Sequence, residues 1–142
     1  MLQSCTLIIF YSEVFLYMER KELAVVVKAQ DLIEHTFLLT NNQNRFPKKT
    51  RYTLVQRLQD KVLHLYECLV SANECDVRFS AMQQKRRDLQ IEAITDCKVM
   101  LYLIELSMKL HYINANSCAY WSKLVCDVKN MTAAWLKADA RK

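Results

Sequence analysis

The residues of this chain whose types and spacing could do chemistry are basic and lie between positions 48 and 87. Arg57, Lys61 and His64 recur at steps of four and three, which places them along one edge of a helix. More lysines and arginines precede this group, where positive charge opposes the helix dipole, so local helix stability does not explain them. Such a surface contacts phosphates by charge and follows a nucleic-acid backbone without reading bases. The residues predicted to bind nucleic acid in this way are Lys48, Lys49, Arg51, Arg57, Lys61, Lys85, Arg86 and Arg87.

A solvated helix face without a ligand is the competing interpretation of these basic residues. Asp60, Glu67 and Asp88 are interleaved among them and could neutralise part of their charge. The chain has 20 lysines and arginines against 15 aspartates and glutamates, a formal net charge of +5. This excess suits a polyanionic partner, but many proteins without one carry as much. The spacing favours nucleic-acid binding, whereas the net charge is compatible with both interpretations.

Arg57 and His64 also permit an enzymatic alternative, a ribonuclease of the HEPN type. Such nucleases carry an arginine followed four to six residues later by a histidine on a helix. Six residues separate Arg57 from His64, at the outer limit of that spacing, and Leu58 stands where a polar residue usually follows the arginine. Because so loose a spacing arises by chance in many helical proteins, we expect the chain not to be an enzyme.

A metal site could be built from His64 and Cys68, four residues apart on one predicted helix, with Cys75 or His111 as a further ligand. Zinc requires three or four such ligands at defined spacings, and only one pair has them in this sequence. A surface histidine beside a half-buried cysteine is the simpler interpretation. We therefore predict no metal and no cofactor.

Two further pairs of side chains have structural interpretations. Asp31 and His35 are most simply an exposed pair one helical turn apart. Trp121 and Trp135 could stack on nucleic-acid bases, but both fall on the apolar stripe of their helix. We expect both tryptophans to lie in the core.

The composition favours an all-α fold in a reducing compartment. Glycine is absent and proline occurs once, which excludes a Rossmann fingerprint, a Walker loop and the usual glycine-built oxyanion nest. Long helices joined by short turns need no glycine, and 142 residues suffice for one core. The six cysteines form no CxxC pair, and four of them fall within helical apolar patterns. Cysteine used in this way is typical of a buried thiol, so we predict a cytoplasmic protein without disulfides.

Apolar periodicity predicts an up-down-up-down bundle of four helices, at roughly 22–41, 51–72, from near Ser80 or Gln83 to about 110, and from about 117 onwards. Thr50 is the expected N-cap of the second helix. The residues expected to face the core are Val26, Ala29, Ile33, Phe37 and Thr40 on the first helix, Val55, Leu58, Val62, Leu65, Tyr66 and Leu69 on the second, Leu89, Ala93, Met100, Leu103 and Ile104 on the third, and Trp121, Leu124, Val128, Met131 and Trp135 on the fourth.

Apolar residues outside these stripes predict that copies of the chain associate. The second and third helices carry more apolar surface than one bundle core needs, and such a surplus is typical of a subunit interface. The residues assigned to the oligomer interface are Tyr52, Leu63, Val70, Ile94, Leu101 and Met108.

The first 17 residues are expected to be an N-terminal extension, and residues 18–142 the bundle domain. The apolar run in this segment is shorter than the roughly 20 residues that a membrane helix requires, and Glu13 interrupts it. It lacks the preceding basic residues and the cleavage site of a signal peptide, so we expect no membrane association. Met18 opens a polar start, MERKEL, and we predict that translation begins there.

Three features of the sequence together are typical of one family: the stretch FPKKTRYTLVQRLQDKVLHLYECLVSAN, the charged start of the third helix and the terminal AAWLKA. Through them, residues 22–138 resemble the accessory variability proteins (Avd) of diversity-generating retroelements. The wider family includes four-helix proteins encoded in intervening sequences of bacterial large-subunit ribosomal RNA genes. Ala133 and Ala134 stand where the family often has two glycines before Trp135. The matching positions are Phe46, Pro47, Lys48, Arg51, Leu54, Arg57, Leu58, Gln59, Trp135, Leu136, Lys137 and Ala138.

This resemblance implies a non-enzymatic pentamer shaped as a barrel. Such a protein associates with the reverse transcriptase of the retroelement and with its template RNA, and DNA is a further expected ligand. It supports the synthesis of mutated cDNA that replaces a variable region in a target gene. A structural interaction protein of the ribosomal intervening-sequence type, without a nucleic-acid role, is the alternative that the resemblance leaves open.

Overall fold

The computed structural model describes Thr6, residues 8–9 and residues 23–141 of the chain. Residues 23–141 form four α-helices and no strand. The helices are α1 (Ala24–Thr40), α2 (Gln56–Glu74), α3 (Ser80–Lys109) and α4 (Ala115–Ala140). The prediction of an all-α, four-helix fold is confirmed for this part of the chain. Met18 and most of the predicted N-terminal extension lie outside the described residues. None of the described helices combines the length and apolar character needed to cross a membrane.

Consecutive helices pack side by side and run antiparallel. α1 packs against α2 and α4, and α3 packs against the same two helices. Gln59, near the start of α2, donates hydrogen bonds to Thr40 and Asn41 at the end of α1, at 3.0 and 2.9 Å. Further along the same pair, Gln30 donates to the Tyr66 hydroxyl at 3.3 Å. Together with the short connections, these contacts describe an up-down-up-down arrangement.

The connection from α1 to α2 contains the single proline of the chain. Phe46 is buried in the core, and Pro47 has φ −66°, the value that its ring imposes. A 3-10 turn (Lys48–Thr50) and a wider π-helical turn (Arg51–Val55) lead into α2. The hydroxyl of Thr50 donates to the Pro47 carbonyl at 2.7 Å and accepts no hydrogen bond from a helix N–H. The predicted N-cap is therefore wrong, because helical turns begin before this residue.

The connection from α3 to α4 is built without glycine. The Tyr112 N–H donates back to the Ser107 carbonyl at 2.9 Å and closes the end of α3. This closure holds His111 at φ 66°, in the left-handed region that usually requires glycine. Asn114 then caps α4, since its side-chain oxygen accepts the Ser117 N–H at 2.8 Å.

The core contains the predicted stripe of α2 except for Tyr66, but on the other helices the stripe is broader or displaced by one position. On α1, Leu32 and Thr36 are fully buried, whereas Ile33 and Phe37 are half-buried. Of the residues predicted for the second helix, Tyr66 is half-buried and the others are buried, namely Val55, Leu58, Val62, Leu65 and Leu69. On α3 the buried set is Gln90, Ala93, Asp96, Cys97, Met100, Ile104 and Ser107, and on α4 it is Trp121, Val125, Val128 and Thr132.

Buried polar side chains account for these differences. Ser107 donates to the Leu103 carbonyl at 2.8 Å, and Thr132 donates to the Val128 carbonyl at 2.8 Å. A hydroxyl that bonds a carbonyl of the preceding turn can enter a core at little cost. The apolar periodicity passes over such positions, because it counts only apolar residues.

Candidate nucleic-acid interface

Four exposed cations surround the N-terminal end of α2. Lys48 and Lys49 lie on the 3-10 turn, Arg51 on the π-helical turn and Arg57 on the first turn of α2. None of them forms an ion pair with a carboxylate among the described residues. We call these four residues the basic end. Their charge is uncompensated and adds to the positive end of the α2 dipole, so it attracts anions.

A cleft of about 420 Å³ opens beside the basic end. Its lining contains no carboxylate, and Asn41 and Gln59 in its wall are joined by a hydrogen bond of 2.9 Å. Lysine and arginine donors next to a neutral amide wall suit a phosphate and the sugar or base beside it. The residues that line the cleft are Thr40, Asn41, Gln43, Phe46, Pro47, Lys48, Arg51, Val55 and Gln59.

Lys61 and His64 continue along α2 but face an internal acid. Lys61 Nζ lies 3.3 Å from Asp96 Oδ1, and His64 Nδ1 lies 2.5 Å from Asp96 Oδ2. The Asp96 side chain, on α3, is only 4% exposed. Lys61 is thus neutralised within the bundle and has less charge to offer a phosphate than Arg57 has. α2 also keeps Arg57 and His64 roughly 10 Å apart along its axis, the distance of seven residues in a helix.

The second predicted basic cluster, at the start of α3, is divided. Arg86 donates to both carboxylate oxygens of Asp139 on α4, at 2.7 and 3.1 Å, and its guanidinium lies 4.7 Å from the centre of the Trp135 ring. This arginine is held between helices by an ion pair and a cation–π contact. Lys85 and Arg87 are exposed and form no ion pair with a described residue.

The two basic clusters lie near opposite ends of the bundle. Because Lys61 and His64 are level with Asp96, residue 85 of the antiparallel α3 is level with about residue 74 of α2. That level is roughly 25 Å from Arg57 along the axis, at 1.5 Å per helical residue. Lys85 and Arg87 therefore form a separate patch and do not extend the surface of the basic end.

The residues predicted to form an oligomer interface differ in exposure. Tyr52 is 80% exposed and Leu63 is 38% exposed, so both present apolar area at the surface of the chain. The half-buried members are Val70, Ile94, Leu101 and Met108. On α3, Ile91 and Tyr102 are more exposed than these four residues but were not predicted. Ile91 and Tyr102 are eleven positions apart, so a repeat of seven residues does not include both.

The aromatic and histidine pairs also differ from the sequence interpretation. Trp121 is fully buried as predicted, but Trp135 is half-buried beneath Arg86. His35 is not a simple exposed partner of Asp31, because its ring packs edge-on against Tyr120 and Trp121 at centroid distances of 5.1 and 6.1 Å. Burial lowers the pKa of His35, and its Nε2 atom has no hydrogen-bond partner among the described residues.

In the structure a third side chain of metal-ligand type, that of Asp96, lies beside His64 and Cys68, and the sequence did not predict it. Asp96 joins them, and one ligand atom from each of the three residues lies within 4.8 Å of the others. Cys75 instead donates to the Ser71 carbonyl at 3.3 Å, and His111 lies at the far end of α3. The sequence feature that could have pointed to Asp96 is its spacing of four residues from Glu92. His64 and Cys68 on the facing helix have the same spacing.

Comparison of the chain with protein-family models, with curated proteins and with solved structures gives no match. The geometry of the site and the resemblance described under Sequence analysis are therefore the grounds for a function.

Proposed function

We propose that the protein is a non-enzymatic accessory protein that binds template RNA through the basic end. The observation that carries the proposal is the group Lys48, Lys49, Arg51 and Arg57, four exposed cations without a described carboxylate partner beside a cleft without an acid. Electrostatic contacts of this kind supply most of the sequence-independent affinity for nucleic acid. Lys61 and Arg86 contribute less, because each is paired with a carboxylate.

We further propose that this RNA is the template of a diversity-generating retroelement and that the second partner is its reverse transcriptase. The resemblance of residues 46–59 to the accessory variability proteins supports this assignment, and the basic end lies within that stretch. Copies of the chain associate, as a pentamer by resemblance, through apolar area around Tyr52 and Leu63. The basic end then faces RNA, and Lys85 and Arg87 offer a separate surface to DNA or to the polymerase.

RNA binding is tested with a charge-matched pair of double variants. Lys48→Glu with Arg51→Glu removes two cations of the cleft, and Lys98→Glu with Lys123→Glu makes the same charge change at exposed sites elsewhere. We expect the first variant to lose most of its affinity for single-stranded RNA. The slope of log affinity against log salt should fall by about 1.4, since each phosphate contact contributes roughly 0.7.

Equal losses in the two variants would overturn the proposal, because net charge rather than the basic end would then determine binding. RNA binding by neither variant nor parent would favour a structural interaction protein of the intervening-sequence type. Circular dichroism of all three proteins should show unchanged helicity. Cleavage of the RNA during the titration would instead support the ribonuclease alternative. Co-purification with a reverse transcriptase encoded beside this chain tests the partner.

Subunit association is tested separately by Leu63→Glu. A charge on this exposed position of α2 should convert an oligomer into a monomer, as measured by sedimentation velocity at micromolar concentration. Val77→Glu, at another exposed apolar position, is the control and should leave the oligomer intact. A parent protein that sediments as a monomer would contradict the proposed association.

A further inference from the structure

Four side chains of metal-ligand type lie at one level of the bundle, two from each of two facing helices. His64 and Cys68 are one turn apart on α2, and Glu92 and Asp96 are one turn apart on α3. Asp96 Oδ2 lies 2.5 Å from His64 Nδ1, and Glu92 Oε1 lies 3.7 Å from His64 Nε2. The Cys68 sulfur lies 3.8 Å from each nitrogen of the His64 ring. Among the described residues, only His64, Cys68 and Asp96 form a group of three such ligands.

One separation within this cluster matches that of a tetrahedral zinc site, and the three ligand atoms lie within 4.8 Å of one another. Ligand atoms at 2.0–2.3 Å from a central zinc ion lie about 3.3–3.8 Å from one another. The sulfur–nitrogen distance of 3.8 Å already has this value. The contact between His64 and Asp96, at 2.5 Å, is shorter than that range and would have to lengthen when an ion enters.

The two oxygens of Asp96 have different partners. Lys61 lies 3.3 Å from Oδ1, so the lysine holds one oxygen, whereas Oδ2 contacts His64. Glu92 lies on the other side of the imidazole, where a carboxylate orients a ligating histidine through its second nitrogen. Outer contacts of this kind are a regular part of metal sites, whereas a simple surface ion pair requires neither the thiol nor a second acid.

We propose that His64, Cys68 and Asp96 bind a divalent transition-metal ion of the zinc class, with Glu92 orienting the imidazole. A sulfur and a nitrogen ligand together favour zinc over magnesium or calcium, which prefer oxygen. The charges also balance. The Cys68 thiolate, the two carboxylates of Glu92 and Asp96, the Lys61 ammonium and a divalent cation sum to zero. Binding releases the thiol proton to solvent.

The carboxylates around Cys68 make the surroundings of the thiol negative, which favours a cation there. Burial, together with the negative charges of Glu92, Asp96 and Glu67, raises the pKa of the Cys68 thiol to about 12. A divalent ion beside the sulfur reverses this relation, because its own charge dominates the local field. A bound ion would join α2 to α3 and so stabilise the bundle.

The proposal is tested by titrating the chelator-treated, reduced chain with Co²⁺ and then with Zn²⁺. We expect one Co²⁺ per chain, with a thiolate-to-cobalt absorption band that Zn²⁺ removes by displacement. Cys68→Ser should abolish the band and weaken Co²⁺ affinity at least tenfold, because serine is not a thiolate ligand. Cys118→Ser, at a half-buried cysteine outside the cluster, is the matched control and should behave like the parent.

A second variant covers the case in which a core substitution disturbs folding. Glu92 is half-exposed, so Glu92→Gln should fold normally, keep the thiolate band and weaken Co²⁺ binding. Loss of affinity by about tenfold is expected when a carboxylate behind a ligating histidine is removed. The proposal is overturned if the parent binds no Co²⁺ saturably, or if Cys68→Ser and Cys118→Ser show the same band and affinity.

Discussion

The indole N–H of Trp121 on α4 donates a hydrogen bond to the Thr36 hydroxyl on α1 at 3.0 Å, and both side chains are fully buried. The rings of His35 and Phe46 pack edge-on against the same tryptophan. The first and last helices of the described bundle are thus joined by one polar contact within an aromatic cluster. An indole N–H at such a depth is stable only when it is paired.

Thr36→Val should lower the free energy of unfolding by about 1–3 kcal/mol, because the substitution keeps the shape but leaves the indole N–H unpaired. Urea denaturation followed by tryptophan fluorescence measures the loss. Thr95→Val is the control, since the Thr95 side chain is exposed and its hydroxyl bonds only the Ile91 carbonyl of its own helix. Equal effects of the two substitutions would mean that the Thr36–Trp121 bond contributes nothing specific.

His111→Gly should raise the free energy of unfolding by about 1 kcal/mol. His111 closes α3 at φ 66°, and a Cβ atom in this region costs roughly 1–2 kcal/mol that glycine avoids. Thermal unfolding by circular dichroism gives the change. His111→Ala, which keeps the Cβ atom, should show no comparable gain, and a gain as large as that of glycine would rule out backbone strain as the cause.

His35 should make the bundle lose stability as the pH falls below 6.5. Burial lowers the pKa of this imidazole in the folded chain, so the unfolded chain binds the proton first on acidification. The stability that the neutral His35 contributes is fully present above pH 6.5. It is lost as the pH falls from 6.5 to the lower pKa of His35 in the folded chain. Arg45 and Tyr120 line the same surface cleft as His35, and neither supplies a carboxylate that would stabilise the protonated imidazole.

The measurement for His35 is a comparison of urea unfolding of the parent and of His35→Gln from pH 8 to pH 5. Other titrating groups cancel in the difference between the two proteins. The difference in unfolding free energy between the two proteins should be constant above pH 7. As the pH falls further, the parent should lose stability relative to His35→Gln. The opposite trend would show that the folded chain stabilises the imidazolium.

Asp139→Asn should destabilise the bundle by about 1–3 kcal/mol but leave RNA binding intact. Asp139 accepts hydrogen bonds from Arg86 and from the buried Gln90, and the asparagine keeps the size while removing the charge. Chemical denaturation and an RNA titration of the same variant measure the two properties. Asp88→Asn, at an exposed position, should change neither by more than about 0.5 kcal/mol. Stronger RNA binding by Asp139→Asn alone would return Arg86 to the binding surface, because the substitution removes the carboxylate charge that neutralises it.

Much of the fold could be predicted from local patterns. The absence of glycine and the spacing of Val55, Leu58, Val62, Leu65 and Leu69 predict a helix with one buried face, and that face is buried. The same reasoning predicts the third helix from near Ser80 or Gln83 to about Leu110, and α3 runs from Ser80 to Lys109. These predictions succeed because hydrophobic periodicity and helix-breaking turns act over a few residues of one segment.

The candidate site could be predicted only in part. The sequence by itself determined that Lys48, Lys49, Arg51 and Arg57 precede or begin a helix, and these four cations are exposed in the structure. Only the tertiary structure decided that Lys61 and Arg86 are neutralised and that Cys68 and His64 share a cluster with Asp96. The reason is that an ion pair between helices joins residues 32 to 53 positions apart. Their proximity depends on how the helices are rotated against each other, and the period of a single helix carries no information about that rotation.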